Sequence, residues 1–392
     1  MRLRSVELRE QSGRVRLVGQ LTRDDGSRLD LYFDYSAEHG PFVTPSSHPF
    51  LVGLLTLCMK DGESLESDIP VAPQLAFNLP RIRDIFHAWF PGFARIPLRL
   101  PTDAQDPTWS APAAGARAAS FFSGGVDSLY TLLKRRFKEP LPVPLTHVIF
   151  MRGVETRLER SRNVEASIAR TQAIADQLGV TCIVGETNLR SVARVHWEHY
   201  QFGSGLAAVA LSLAHGFRYV CIPSSYGYGH MEPHGSTPLV DEMYSTEQLS
   251  IVHDGGEASR ATKTALCLDW HRDLTLRSLR VCTKNDGGDT NCCRCYKCVR
   301  TAAALAALGA FTDAESFPDK SRAHWADVMR KDHLGMLEDN LALARETGRD
   351  PELLAILERT VARKRRRQAL KDLIDASPPA RRALQILGRR GT

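Results

Sequence analysis

SFFSGGVDSLYTLL, residues 120–133, joins a short apolar run to a helical pattern through Ser-Gly-Gly-Val-Asp-Ser. Glycines at a strand-to-helix turn let the backbone approach a ligand closely, and the first N–H groups of the helix favour an anion, above all phosphate. Ser123 and Ser128 add hydroxyl donors, and the carboxylate of Asp127 suits such a place when it holds a cation such as Mg²⁺. The pattern therefore predicts a magnesium–nucleotide site. A Gly-Gly turn with an Asp/Ser cap, common in any α/β protein, is the alternative.

Short apolar runs alternate with helical stretches after a Pro/Ala/Gly linker that ends near Gly115. This alternation predicts an α/β fold with a parallel, doubly wound sheet covered by helices on both faces. Before the linker, two period-two runs flank an Asp-Gly turn, which predicts a β-hairpin. We therefore expect a β-rich N-terminal accessory domain over 1–115, the α/β domain over 116–310 and a helical, basic extension over 311–392. The apolar runs predicted as parallel strands are 118–122, 146–151, 181–185 and 219–223.

Composition and charge narrow the class of protein. The 392 residues are 43% apolar and 24% charged, which is ordinary globular composition. No run of about 18 apolar residues occurs, and the charged start MRLRSVELRE lacks the apolar core of a signal peptide, so we expect a cytoplasmic protein without a membrane partner. The net charge of +6 is concentrated in 361–392, where ten Lys/Arg stand against two acids and the remaining chain carries −2. RNA is therefore an expected partner only through this tail, and a solvated helix end is the alternative.

Five of the nine cysteines crowd into 282–298, which indicates a metal site in a protein expected to be reduced. The spacing C-x9-C-x2-C-x2-C can close a tetrahedral site of four thiolates, and a closed site is structural rather than catalytic. Zn²⁺ is the expected ion, with an iron–sulfur cluster or a redox or sulfur-carrying cysteine pair as alternatives. Cys293 is surplus and could replace Cys292 as a ligand. The expected ligands are Cys282, Cys292, Cys295 and Cys298.

The SGGVDS stretch matches the SGGxDS signature of the PP-loop ATP pyrophosphatases. Together with the four-cysteine spacing, it resembles 7-cyano-7-deazaguanine synthase and its relatives over 116–310. Members of the family cleave ATP to AMP and pyrophosphate and adenylate a substrate oxygen, and a nitrogen or sulfur nucleophile then displaces the AMP. The resemblance implies that Asp127 binds Mg²⁺ and acts in catalysis. The nucleotide-binding residues it implies are Ser123, Gly124, Gly125, Val126, Asp127 and Ser128.

Two looser matches add three residues. Asp241 and Glu242, in TPLVDEMYS, match acids of the family's substrate-side loop, and Lys263, in SRATKTALCLDW, matches a lysine that opens the following helix. The resemblance implies that the two acids orient a substrate amine or ring nitrogen, although such a pair also caps helices. Lys263 could neutralise charge that develops on the phosphates, or be an ordinary solvated helix lysine.

The resemblance implies an adenylate-forming ligase or amidotransferase that uses ATP, Mg²⁺ and Zn²⁺ and forms a C–N bond. The substrate would be a small molecule of the deazaguanine type or a protein partner of an antiphage-type system. The stretch SSYGYGHMEPHGS and the two extra regions depart from the family, so the chemistry carries over more readily than the substrate. Nothing in the sequence indicates a glutaminase segment, so nitrogen would come free or from an ammonia-supplying or conjugation partner.

Two other functions remain as alternatives. One is a tRNA-modifying enzyme with the same ATP chemistry, of the thiolation or lysidine-forming type, with the basic tail as its RNA anchor. The other is a non-catalytic nucleotide-binding module of an assembly, with 1–115 as its docking surface. The carboxylate of Asp127 argues against this second alternative, because a scaffold has no need of a ligand for Mg²⁺.

Overall fold

The structure is a computed structural model that describes residues 1–103, 116–154, 158, 164–282 and 290–376. Within these ranges, the chain forms helices and one ten-stranded sheet in which most neighbouring strands are parallel. The protein therefore has the mixed α/β fold that the sequence predicts. Its strands are β1 (Arg2–Gln11), β2 (Arg14–Thr22), β3 (Arg28–Ser36), β4 (Leu65–Ser67), β5 (Leu98–Arg99), β6 (Ala118–Phe121), β7 (Leu145–Arg152), β8 (Thr181–Thr187), β9 (Tyr219–Pro223) and β10 (Ser250–Asp254).

The strands lie in the order β10–β9–β6–β7–β8–β3–β2–β1–β4–β5. From β10 to β8 every neighbouring pair is parallel, and β6 lies between β7 and β9. The chain therefore proceeds outward from β6 in both directions, to β7 and β8 on one side and to β9 and β10 on the other. Parallel neighbours require crossover connections, and helices supply several of them.

The α-helices of the described ranges are α1 (His48–Asp61), α2 (Pro73–Trp89), α3 (Val126–Leu133), α4 (Val164–Gln177), α5 (Leu189–Ala193), α6 (Phe202–Ser212), α7 (Pro238–Asp241), α8 (Arg260–Ser278), α9 (Tyr296–Ala307), α10 (Trp325–Met329), α11 (Leu334–Thr347) and α12 (Pro351–Ala376). Helix α3 follows β6 and packs on β6 and β9, and α4 packs on β7 and β8. Helix α8 has a kink at His271. None of these helices combines the length and the apolar character that crossing a membrane requires.

The central strands are apolar because the sheet is covered on both faces. All four residues of β6 (AASF) are buried, as are the last four of β9 (VCIP). A strand buried on both sides loses the alternation of polar and apolar residues and becomes a continuous apolar run. Strand β1 exposes most of its residues and lies in the outer part of the sheet. The four runs predicted as parallel strands correspond to β6, β7, β8 and β9.

The N-terminal strands extend this same sheet. The predicted hairpin is confirmed, since β2 and β3 pair antiparallel across the Asp-Gly turn. Strand β3 then pairs antiparallel with β8, with Phe33 opposite Thr187 and Tyr35 opposite Gly185. The buried hydroxyl of Tyr35 lies 2.6 Å from the Oγ of Ser212 in α6. Backbone pairing and core packing therefore join residues of the first segment to the central strands.

The chain divides into two compact units. The first comprises Met1–Ala258 and Ser278–Arg280, and the second comprises Ser259–Arg277 and Val281–Thr392. The three segments expected from sequence remain a prediction; in the first unit, β3 pairs with β8 and α1 packs on α6. The expected linker and boundary near Gly115 lie outside the described residues.

A buried ion pair lies in the second unit. Arg300 of α9 donates through Nε to Asp332 at 2.8 Å, and both side chains are buried. Asn340 of α11 donates to the carbonyl of Arg300 at 3.0 Å, so the pair lies where α9, α11 and the turn before α11 meet. In the same unit, Arg272 and Asp313 form a pair at 2.9 Å, but both side chains are at least half exposed.

Asp332→Ala should lower the free energy of unfolding by about 3–5 kcal/mol, because Arg300 would keep a buried charge without its partner. The matched control Asp313→Ala removes an exposed partner and should cost less than about 1 kcal/mol. Chemical denaturation followed by circular dichroism measures both values. Equal losses in the two variants would show that burial does not decide the strength of these pairs.

Candidate functional site

The loop that follows β6 brings the predicted nucleotide-binding residues together. Gly124 has a φ of +77°, a left-handed conformation that glycine adopts without steric cost. Its carbonyl accepts a hydrogen bond from the backbone N–H of Arg280 at 2.8 Å. Helix α3 begins directly after Gly125, so its first N–H groups open onto the loop. The sequence therefore folds here into the strand–loop–helix unit that it predicts.

The two serine hydroxyls of this loop have different surroundings. Ser128 is buried, donates to the carbonyl of Gly125 at 3.1 Å and accepts from the N–H of Ser123 at 3.3 Å. Its hydroxyl therefore joins both ends of the loop to the first turn of α3. Ser123 is exposed, and its Oγ lies 3.4 Å from that of Ser128. The side chain of Val126 is buried, so only its backbone can face a ligand, whereas Asp127 is partly exposed.

The glycines leave the backbone of this loop open. A Cβ added to Gly125 would lie 3.4 Å from the Oγ of Ser123, so a side chain there would occupy the space in front of the loop. Arg280 is buried against the loop: its Cβ lies 3.6 Å from a Cβ placed on Gly124, and its carbonyl oxygen lies 3.8 Å from a Cβ placed on Gly125. Burial and then the positive charge of Arg280 lower the pKa of Arg170 in α4 to about 10. Arg170 therefore stays cationic at neutral pH, and its charge lies close enough to that of Arg280 for the two to interact.

Three loops meet at one edge of the sheet. Strands β6, β9 and β10 are parallel, so the residues after their carboxyl ends lie on the same side. These are the loop from Ser123, the segment that begins at Ser224 and the turn after Asp254. The backbone N–H of Ser224 donates to the carbonyl of Asp254 at 2.7 Å, which ties the second of these loops to the third.

A network of charges, in which Lys134 and Asp254 are buried and Glu257 is exposed, fixes the C-terminal end of α3 at this edge. Lys134 Nζ lies 2.5 Å from Glu257 and 3.4 Å from Asp254, and Arg135 lies 2.5 Å from Asp254. The hydroxyl of Tyr130 donates to Glu257 at 2.7 Å. Burial alone would raise the pKa of Glu257, but the hydrogen bonds from Lys134 and Tyr130 outweigh it and lower the pKa to about 2. Ionised Glu257 therefore anchors the helix that carries Asp127 to the turn after β10.

A second buried network connects both ends of the segment 224–236. His253 Nε2 lies 2.8 Å from the Oγ of Ser224, and His253 Nδ1 lies 2.8 Å from Asp241 Oδ2. Ser236 donates to the same Asp241 oxygen at 2.7 Å. All four side chains are buried. Asp241 therefore holds Ser236 directly and Ser224 through His253, which closes the segment into a loop whose middle, including Tyr228, is exposed.

The two acids predicted as substrate ligands have opposite placements. Asp241 ends α7 inside the protein, and Glu242 is exposed on the following turn. Gly203 of α6 packs so closely that a Cβ there would lie 2.2 Å from Asp241 Oδ1. The structure therefore gives Asp241 a positioning role on the 224–236 loop, and leaves Glu242 open to solvent.

Lys263 belongs to the second unit, whereas the Ser123–Ser128 loop belongs to the first. Its side chain is buried near the start of α8, and its backbone N–H donates to the carbonyl of Ser259 at 2.8 Å. It is therefore not the ordinary solvated helix lysine that sequence left as the alternative. A lysine is rarely fully buried without interactions that compensate its charge.

The four predicted metal ligands form one cluster in the second unit. The ligand atoms of Cys282, Cys292, Cys295 and Cys298 all lie within 4.8 Å of one another. Sγ of Cys298 lies 3.4 Å from that of Cys295 and 3.8 Å from that of Cys292. Zn–S bonds of about 2.3 Å in a tetrahedron place sulfur atoms about 3.8 Å apart, so the cluster has the size of a zinc site. These four cysteines could hold a metal such as zinc.

The surroundings of the cluster explain why a cation suits it. Hydrogen bonds with Cys282 and then Cys295 raise the pKa of Cys298, and burial and repulsion between neighbouring thiolates add to this effect. A bound cation removes this repulsion and stabilises the thiolates. The fifth cysteine, Cys293, is outside the cluster and directs its Sγ to the carbonyl of Asn291 at 3.4 Å.

Sequence reasoning missed the residues that support these sites. Asn291 accepts from the N–H groups of Val281 and Cys282 at 2.9 and 3.2 Å, and thereby joins the two segments that carry the cysteines. An asparagine beside a cysteine pair was the available signal for this residue. His253 had no such signal, because its partners Ser224 and Asp241 are distant in sequence.

Comparisons of this chain with protein-family models, with curated proteins and with solved structures found no match. The functional assignment therefore depends on the residues and the geometry of the two sites.

Asp241→Ala should lower the free energy of unfolding by about 2–4 kcal/mol, because buried His253 and Ser236 would lose a shared charged partner. Glu242→Ala is the matched control, and its exposed position should limit the cost to about 0.5 kcal/mol. Urea denaturation measures the stability, and limited proteolysis within 224–236 reports on the loop. If Asp241→Ala is as stable and as resistant to cleavage as Glu242→Ala, the positioning role is wrong.

Cys298→Ser should reduce bound zinc from about one equivalent to a small fraction, because a closed site needs all four thiolates. Cys293→Ser should keep the wild-type metal content, since its side chain is outside the cluster. Elemental analysis of protein purified under reductant measures both. Loss of zinc in Cys293→Ser together with retention in Cys298→Ser would reverse the assignment.

Proposed function

We propose that this protein is an adenylate-forming enzyme of the PP-loop ATP pyrophosphatase type, which splits MgATP into AMP and pyrophosphate. The observation that carries the proposal is the open glycine loop at the carboxyl end of β6, with exposed Ser123, partly exposed Asp127 and the N-terminus of α3. Such a combination favours a polyphosphate and its cation. The cationic side chains of Arg170 and Arg280 favour the same ligand.

The strand order supports this placement. Relative to β6, the central five strands follow the order of a doubly wound α/β sheet, and we propose that this is the fold of the central region. The order reverses between β6 and β9, and ligands of such sheets bind outside the carboxyl ends of the strands at this point. The Ser123–Ser128 loop and the 224–236 segment follow these two strands.

Each residue of the loop has a distinct role in this proposal. The N–H groups of α3 and the hydroxyl of Ser123 bind the phosphates that leave as pyrophosphate, while Ser128 keeps the loop in its shape. Asp127 would hold Mg²⁺, which neutralises phosphate charge when bound. A substrate carboxylate or carbonyl oxygen attacks the α-phosphorus, the bond to the bridging oxygen breaks, and a nitrogen nucleophile later displaces AMP.

The 224–236 segment is the proposed substrate-binding loop. It begins at the end of β9, next to the nucleotide loop, and the Asp241 and His253 network fixes both of its ends. Its exposed tyrosine and histidine side chains, Tyr228 and His230, suit a planar, polar molecule such as a deazaguanine. The cysteine cluster has no open ligand position, so its proposed zinc is structural.

The test is product analysis with ATP labelled at the α-phosphate, in Mg²⁺, against small carboxylates, deazapurines and bulk tRNA. Labelled AMP should form with one substrate class. Asp127→Ala should reduce the rate by about 100-fold or more, because charge on the phosphates would lose its bound cation. Asp176→Ala, which changes an exposed aspartate of α4, is the matched control and should retain the full rate.

Binding of MgATP, measured by calorimetry, completes this test independently of turnover. The wild type and Asp176→Ala should bind with the same affinity, and Asp127→Ala should bind more weakly. Labelled ADP in place of AMP, or a wild type that does not bind MgATP, would refute the proposed chemistry.

A further inference from the structure

The last helix of the described chain has two halves of different character. In the first half of α12, Leu353, Leu357 and Val361 are buried against neighbouring helices of the second unit. From Ala362 to Leu373 all residues except Lys364 are exposed. An exposed helical half with this length is unusual for a helix whose stability depends on packing. This half is therefore available to a partner.

Four arginines form a stripe along one face of α12. Their spacing of four, three and one residues places them on neighbouring turns of the same side, over about 12 Å of helix. Ala362 and Leu370 lie beside them on the same face. The arginines of this stripe, called the α12 arginine stripe, are Arg359, Arg363, Arg366 and Arg367.

Among the residues that the structure describes, no acidic side chain forms an ion pair with the stripe. Nearby charges are used elsewhere, since Arg365 pairs with Glu338 and Glu358 pairs with Arg345. Four close, unneutralised guanidinium groups repel one another, and this repulsion is relieved by an anion with several charges. The sequence after Ala376 adds four arginines and no acid, so it increases the positive charge.

Arginine favours phosphate among the anions available to such a helix. Its planar guanidinium donates two parallel hydrogen bonds to phosphate oxygens, which the ammonium of lysine cannot do. A membrane surface is a poorer fit, because a helix that lies in a bilayer interface needs a broad apolar face. Among the side chains that the structure describes in this half, only Leu370 and Leu373 are large, apolar and exposed.

The geometry favours duplex DNA over other nucleic acids. A helix with its side chains is about 10–12 Å wide, which matches the major groove of B-form DNA at about 12 Å. The major groove of duplex RNA is deep and narrow, so a helix of this width does not enter it. Single strands are held largely by stacking on aromatic rings, and residues 351–392 contain no Phe, Tyr, Trp or His.

We propose that the α12 arginine stripe binds the phosphates of duplex DNA without reading its sequence. This inference does not depend on the proposed ATP chemistry, since it uses only residues of α12. Contacts from arginine to phosphate position a helix on the duplex and carry no sequence information. Binding should therefore be similar for unrelated duplexes and should weaken steeply as salt rises.

The test is fluorescence anisotropy of the full chain with a labelled 20-base-pair DNA duplex at several salt concentrations. The variant R359Q/R363Q/R366Q/R367Q should bind at least about tenfold more weakly at low salt. Its slope of log affinity against log salt should fall by about 3–4, because each phosphate contact contributes about 0.9. The charge-matched control R9Q/R28Q/R99Q/R194Q changes four exposed arginines of the first unit and should bind like the wild type.

Duplex RNA and single-stranded DNA of the same sequence, and poly-glutamate as a competitor, define the partner. We expect duplex RNA and single-stranded DNA to bind more weakly than duplex DNA. We also expect that poly-glutamate, added at the same total charge as the DNA, does not displace the duplex. Tighter binding of RNA or single strands, displacement by poly-glutamate, no binding of duplex DNA at low salt, or equal loss in both quadruple variants would overturn the proposal. Circular dichroism should show unchanged helix content in both variants, because every replaced side chain is exposed.

Discussion

The backbone pairing of β6 with β7 on one side and with β9 on the other is the constraint on which the candidate site depends. Two parallel partners bury β6 completely and direct the chain after it to the carboxyl edge of the sheet. The strands on either side lead the chain away in opposite directions, so their connections leave the end of β6 uncovered. The glycine loop occupies this end, where a ligand would meet backbone N–H groups rather than side chains. The strand order determines where the loop lies, and the sequence of the loop determines that glycines and hydroxyl groups stand there.

Buried polar networks, rather than apolar contacts, hold the loops at this edge. Lys134 and Asp254 are buried together, as are Asp241 and His253, and each pair connects a loop to a neighbouring helix or strand. A buried charge costs free energy unless it is paired and hydrogen-bonded, so removal of one member leaves the other buried without a partner. Such networks permit few alternative arrangements. They therefore fix the shape of the edge more narrowly than interchangeable apolar side chains could.

Local patterns predicted much of this structure, and long-range pairing explains the rest. The strands around the SGGVDS loop, the N-terminal hairpin and the four clustered cysteines are encoded within short stretches of sequence. The pairing of β3 with β8 is not encoded locally. Tyr32 and Glu186, whose side chains form a hydrogen bond between these strands, are separated by 154 residues. Strand β10 (SIVHD) carries two polar residues at its buried end and lacks a continuous apolar run. Asp241 and Glu242 are adjacent acids that the sequence does not distinguish. The turn after α7 buries Asp241 and exposes Glu242.

The cysteine cluster shows how a helix terminus prepares a site for a cation. Cys295 is the N-cap of α9 and Cys298 lies in its first turn, so both sulfur atoms are near the positive end of the helix. That field lowers the cost of gathering negative charge in a partly buried place, while contacts with the neighbouring thiols still raise the pKa of Cys298. Asn291 meanwhile joins the backbone at Cys282 to the segment before α9. The fold therefore contributes the chain closure and part of the charge stabilisation, and a bound cation would supply the remainder by removing the repulsion between the thiolates.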